Sequence, residues 1–177
     1  MNFIPNEETE KLLRSMWFGF TDNSFDAKGK AWTFTGSPYI SKVGGNSVVF
    51  DGSTTISANN FVVNAKNYSI NFTLQLAEMV GTIIETSKFT LTTSDLSSYL
   101  SLNTPLIFGI FGYYVTKEGN VYTYRYDYDV YINGSKKRTI KLGQGMYTTL
   151  NIKLGEGLKG FISNFSVVSD GNVISQF

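Results

Sequence analysis

The sequence contains no histidine and no cysteine. Without histidine there is no Ser-His-Asp arrangement, no imidazole base poised near neutral pH, and none of the commonest metal ligand. Without cysteine there is no disulfide, no thiolate zinc site and no thiol nucleophile. Charge is also scarce. The 15 basic and 14 acidic residues are mixed along the chain and leave a formal net charge of +1. No basic stripe points to nucleic acid, and no acidic tail points to a charged partner. The longest apolar run, around LIFGIF at 106–111, is far too short to span a bilayer. The opening MNFIPNEETEKLLRS has no basic region followed by an apolar run, so the expectation is a soluble chain with no signal peptide and no membrane insertion.

What is present is β-forming. Aromatics reach 15% against only 16% charged residues, which favours strands over long surface helices. A length of 177 residues suits one large sandwich or barrel. Near the start, Asn6 can cap a short helix, with Glu7 and Glu8 at its positive end and Lys11 and Arg14 at the other. Residues 1–14 are therefore expected to form an arm or short helix, and residues 15–177 the sandwich. MWFGF at 16–20 reads as an apolar strand containing Trp17. AWTFTG sets Trp32 and Phe34 on one face and Thr33 and Thr35 on the other. NSVVFDGS ends in an Asp51-Gly52 turn, and KVGGN at 42–46 has neither phosphate-loop nor dinucleotide spacing and serves as a turn.

The clearest strand is YSINFTLQL. Ile70, Phe72, Leu74 and Leu76 alternate with Ser69, Asn71, Thr73 and Gln75, the period of a half-buried antiparallel strand. LIFGIFGYYV and VYTYRYDYDVYI form a hairpin joined through Lys117, Glu118, Gly119 and Asn120. Asn133-Gly134 is the strongest two-residue hairpin signal and leads into KKRTIKL. YTTLNIKL and GFISNFSVV follow. About a dozen short strands, no internal helix and no Pro-rich linker imply an all-β, antiparallel two-sheet sandwich.

Taken in order, VGGNSVVFDGSTTI, YSINFTLQL, DVYING and LNIKLGEGLKGFISNFSVVSDG resemble the laminin-G-like, concanavalin A-like jelly-roll family over about residues 12–175. Two departures stand out. The strand LIFGIFGYYV lacks a Trp-His pair that the family often carries near its start. An Ile-Asp-Glu triplet of the family is here Ile162, Ser163 and Asn164. The resemblance implies a jelly roll that binds carbohydrate or protein. Single jelly rolls of this kind resemble phage decoration, head-fibre and tail-associated modules. The expectation is therefore a non-enzymatic virion protein, touching other virion proteins or identical subunits through its N-terminal arm and binding glycans. A glycoside hydrolase or lyase on the same fold, and a cellular lectin exported by a signal-less route to the cell surface, are the alternatives.

Candidate sites are few. Tyr122, Tyr124, Tyr126 and Tyr128 share a strand face with Val130 and Ile132, so the tyrosine stripe reads as core and not as a ligand platform. Tyr113, Tyr114, Tyr131 and Asn133 are the glycan-contact candidates. The odd face, with Arg125, Asp127 and Asp129, reads as wet. Glucanases of similar architecture place acids at alternate strand positions, but residues two apart sit roughly 6.5–7 Å apart along a strand. A retaining mechanism instead wants carboxyl groups about 5–5.5 Å apart, one of them raised in pKa. With Arg125 beside them, Asp127 and Asp129 are expected to be exposed and ionised, so no catalytic residue is assigned. Asp22, Asp26 and Asp51 lie in loops and offer oxygen ligands for calcium, though without EF-hand spacing, and no cofactor is expected.

Overall fold

A computed structural model describes residues 25–36, 39–41, 47–64, 67–144 and 148–177. The expected arm over 1–14, the strand with Trp17, Asp22 and the KVGGN turn lie outside the described residues. So do the side chains of Tyr122 and Tyr124.

The described residues form thirteen strands and one 3₁₀ turn at Ser94–Leu96. One sheet has the order β1 (Thr33–Thr35), β4 (Thr55–Val62), β11 (Thr149–Leu154), β6 (Thr82–Thr86), β7 (Thr90–Thr92). The larger sheet has the order β10 (Ser135–Gln144), β9 (Val121–Ile132), β8 (Leu106–Glu118), β5 (Tyr68–Leu76), β12 (Lys159–Ser169), β3 (Ser47–Asp51), β2 (Tyr39–Ser41). β13 (Asn172–Gln176) pairs with the far half of β12, on which β3 holds the near half. Every strand pairing is antiparallel, and the two sheets stack as a jelly-roll β-sandwich.

The core follows the period-two pattern. Along β5 the residues Tyr68, Ile70, Phe72, Leu74 and Leu76 are buried, while Ser69, Asn71, Thr73 and Gln75 are half-buried on the other face. Facing residues come from the second sheet, among them Ile56, Ile84, Leu91, Leu150, Ile152 and Leu154. Aromatic rings fill the middle: Phe72 stacks on Phe108 at 4.9 Å, and Trp32 stands edge-on to Phe165 at 5.3 Å. Trp32 is buried as expected. Phe34 instead sits at the margin, edge-on to Phe25, because β1 is a three-residue edge strand.

The tyrosine stripe is core where it is described. Tyr126 and Tyr128 are buried; the Tyr128 hydroxyl bonds that of Tyr68, and its ring packs 4.5 Å from Phe89 near the opposite sheet. A buried phenol keeps its ring apolar while its oxygen finds a partner.

Turn chemistry fixes the register of the long hairpins. β8 and β9 meet through Gly119-Asn120 alone, two residues shorter than the expected connection. Asn133 and Gly134 join β9 to β10 with φ of +50° and +76°, as a two-residue type I′ turn requires. The Asp51 carboxylate accepts from Ser53 N, Ser53 Oγ and Thr54 N, closing the turn between β3 and β4. Partial burial works against its charge, but these hydrogen bonds prevail and hold its pKa at about 2.

Asp26, a calcium candidate, is a structural hub instead. Its buried carboxylate accepts from Lys28 N, Trp32 Nε1, Ser175 Oγ and Gln176 N. It thereby ties the segment before β1 to β13. Both its oxygens accept from protein donors, as does Asp51 Oδ1. No group of three potential metal-ligating residues occurs among the described residues.

Candidate functional site

The outer face of the larger sheet carries a groove of about 570 Å³ that crosses β12, β5, β8 and β9. Three inter-strand steps make it about 14 Å across. Alternation on each strand decides what it presents. β5 contributes Asn71 and Thr73, β8 contributes Ile107, Gly109 and Phe111, and β9 contributes Asp129 and Tyr131.

One wall is apolar. Ile107 is 64% exposed and Phe111 44% exposed, and both stand on the same outer face of β8. Phe111 meets Tyr131 edge-to-face, with centroids 5.4 Å apart and planes at 85°. The Phe111 ring can lie down on the strand because Gly109 has no side chain: a Cβ there would stand 2.8 Å from the ring edge.

The other wall is polar. Asn71 Nδ2 donates to Ser69 Oγ, and Asn164 Nδ2 reaches Thr73 Oγ1 at 3.4 Å. Asn164 gets there through a β-bulge. Between Ser163 and Ser166 the pairing of β12 with β5 slips by one residue, and Asn164 takes φ = +52°. The extra residue is exposed and its amide overhangs the groove. The group it presents there is neutral.

Two charged networks border the groove on β9, and both correct the expectation of a wet row. Asp127 is only 2% exposed. Arg125, two residues away on the same face, folds over it and donates from Nε to Oδ1 at 2.8 Å and from Nη2 to Oδ2 at 3.0 Å. Its cross-strand neighbours are Tyr113 and Lys141, whose long side chains flank the row. Arg125 continues to Glu118, and Glu118 to Lys141. The two donors hold the Glu118 carboxyl at about 2, and the Asp127 and Glu118 acceptors raise the Arg125 pKa. Asp129 is half-buried rather than exposed, and accepts from Thr139 Oγ1 at 2.6 Å, Tyr113 Oη at 3.3 Å and Lys136 Nζ at 2.8 Å.

The glycan candidates separate. Tyr131 lines the groove. Tyr113 stands on the same face beyond Phe111, its hydroxyl committed to Asp129; burial, then the charges of Asp129 and Asp127, push its pKa up. Tyr114 points the other way, its ring 4.9 Å from buried Tyr126. Asn133 sits at the rim, where its Oδ1 accepts from Ile107 N and its own N–H donates to Ile107 O. It therefore braces the turn against β8. Asn71, Thr73, Ile107 and Phe111 were not named as contact candidates in the sequence, and Asn164 was noted there only as a departure from the resembled family's triplet. The one signal for them was the polar half of YSINFTLQL, which names Asn71 and Thr73 as the outer face.

No protein-family model and no curated protein matches the sequence. Among solved structures, the chain is similar to domain 4 of AbnA, a GH43 extracellular arabinanase from Geobacillus stearothermophilus, solved in complex with arabinotriose. The TM-score is 0.53 at 14% identity, over 83% of this chain and 84% of that one. The likeness is one of fold, an antiparallel β-sandwich.

Proposed function

We propose that this protein is a carbohydrate-binding β-sandwich that holds a polysaccharide segment in the outer-face groove and does not cleave it. The observation that carries the reading is the pairing of two unlike walls. Phe111, Tyr131 and Ile107 offer an apolar platform for the C–H face of a sugar ring, while Asn71, Thr73 and Asn164 offer amides and a hydroxyl for its oxygens. Apolar lining with a few convergent polar groups is the usual make-up of a ligand site. The similar arabinanase domain, solved with arabinotriose, supports the sugar class. Binding without turnover is supported by the acids: both Asp127 oxygens are taken by one guanidinium, and Asp129 accepts from two hydroxyls and an ammonium. General acid-base work on a glycoside needs two carboxyl groups with separated pKa values, one able to give up a proton.

The virion setting, with residues 1–14 as the contact to other virion proteins or identical subunits, rests on the family resemblance alone. On a particle, weak single sites would gain strength by multivalency.

The test is affinity electrophoresis and calorimetry on soluble arabinan, galactan, xylan and mixed-linkage glucan, with reducing-end and unsaturated-product assays run alongside. Binding without cleavage is expected, and Phe111→Ala should weaken it about tenfold, or about 1.4 kcal/mol. No retardation in any neutral polymer would overturn the groove as a glycan site. Cleavage abolished by Asp127→Asn or Asp129→Asn would make the protein an enzyme.

A further inference from the structure

We infer that Asp129 is a specificity-determining residue, which cancels the charge of Lys136 at the groove wall and so restricts the site to uncharged glycans. This rests on the glycan reading above. Among the described residues, Asp129 is the only charged one lining the groove; the other described lining side chains are apolar, an amide or a hydroxyl, or are absent, as in the glycines. Its countercharge is close to the bound chain's path. Lys136 is the β10 register partner of Tyr131, so the ammonium sits beside the aromatic wall. Lys136 Nζ lies 2.8 Å from Asp129 Oδ2, with the lysine side chain 47% exposed and the aspartate 13%.

The pair is built to persist. Thr139 and Tyr113 hold the other carboxylate oxygen, so Asp129 cannot rotate away from the lysine without losing two hydrogen bonds. Lys136 is charged at neutral pH as any lysine is, and the Asp129 hydrogen bond raises its pKa further. The wider face is matched in the same way: Lys141 with Glu118, Arg125 with Asp127. An anionic sugar ring entering the groove would thus lose water and meet no uncompensated cation among the described lining residues. A neutral ring would give up little. Rejection by withholding a partner charge is a recognised source of selectivity.

Asp129→Asn keeps the shape and one acceptor oxygen while releasing Lys136 as a free cation. The experiment measures binding of the wild type, Asp129→Asn and Asp129→Asn with Lys136→Gln to arabinan and to polygalacturonate, at low and at 0.5 M salt. The wild type should bind arabinan with little salt dependence and polygalacturonate at least tenfold more weakly. Asp129→Asn should gain at least fivefold on polygalacturonate, and the gain should vanish at 0.5 M salt and in the double variant. Asp129→Ser makes the same charge change if the asparagine variant fails to fold. Wild-type binding to polygalacturonate as tight as to arabinan, or no gain in either Asp129 variant, overturns the inference while the glycan reading stands. If the wild type binds no neutral polymer, the glycan reading falls and the inference with it.

Discussion

On the inner face of β5 and β8, Phe72 and Phe108 lie nearly parallel, 8° apart in plane, and both are buried. One residue along each strand, Asn71 and Gly109 face outward into the groove, with Phe111 beyond. The two faces share one backbone ladder, so any difference in what they do comes from side chains alone. On the inner face each ring is enclosed by neighbours and contributes to stability. On the outer face the Phe111 ring leans on a glycine and a tyrosine edge and leaves its other side to solvent. Large apolar groups are kept out of water where they hold the fold; Phe111 is left in it where the proposed function puts a ligand.

That contrast can be broken by truncation. Leu74→Ala, on the inner face, should cost about 2–5 kcal/mol from lost burial and the cavity left behind, read as a shift of the denaturant midpoint. The outer face then divides in two. Asp127→Ala, at its charged end, should cost about 1–3 kcal/mol, because it removes both guanidinium hydrogen bonds and leaves Arg125 with Glu118 alone. A loss under 1 kcal/mol would show that water reaches the guanidinium. Phe111→Ala, in the groove, should change stability by no more than about 0.5 kcal/mol while costing affinity as above. A large loss of stability there would make Phe111 part of the core.

The turn at Asp51 belongs to neither face and sets the scale for a single local network. Asp51→Ala should cost about 1 kcal/mol at neutral pH. Its folded pKa lies below the unfolded value, so the stabilisation is complete above about pH 4 and fades as pH falls through about 2. The variant and the wild type should therefore converge in stability at strongly acid pH. A difference that stays constant from pH 7 to pH 2 would mean the carboxylate charge plays no part.

The inner face was legible in the sequence because one face apolar and one face polar leaves a period of two. Ile70 to Leu76 shows it, and so does the stripe ending in Tyr126 and Tyr128. Asn133-Gly134 was legible because both residues tolerate positive φ. The groove was not, for the same reason inverted. In LIFGIFGYYV both faces of β8 are apolar, so Ile107 and Phe111 cannot be told from Phe108 and Ile110 by alternation. The bulge at Asn164 is a slip between two strands and leaves no mark on one of them. Three strands passed unnoticed: β2, only three residues long; β4, where Asn59 and Asn60 interrupt the pattern; and β13, although Asp170-Gly171 is a hairpin signal of the kind read elsewhere. Asp127 was misplaced because a carboxylate's burial depends on whether an arginine folds over it, a matter of rotamer and neighbours rather than of spacing.

The Asp26 hub has a consequence of another kind. Phe25 lies 4.4 Å from Phe177, and Ala27 N donates to Gln176 O, so the first and last described segments run side by side. A domain whose entry and exit points adjoin can be spliced into a loop of a host protein with little stretching of the host. The groove strands β8 and β9 pair far from that corner in sequence, and neither contributes to it. The corner where the first and last described segments meet is thus built without β8 and β9, the strands that carry Phe111 and Tyr131 of the groove.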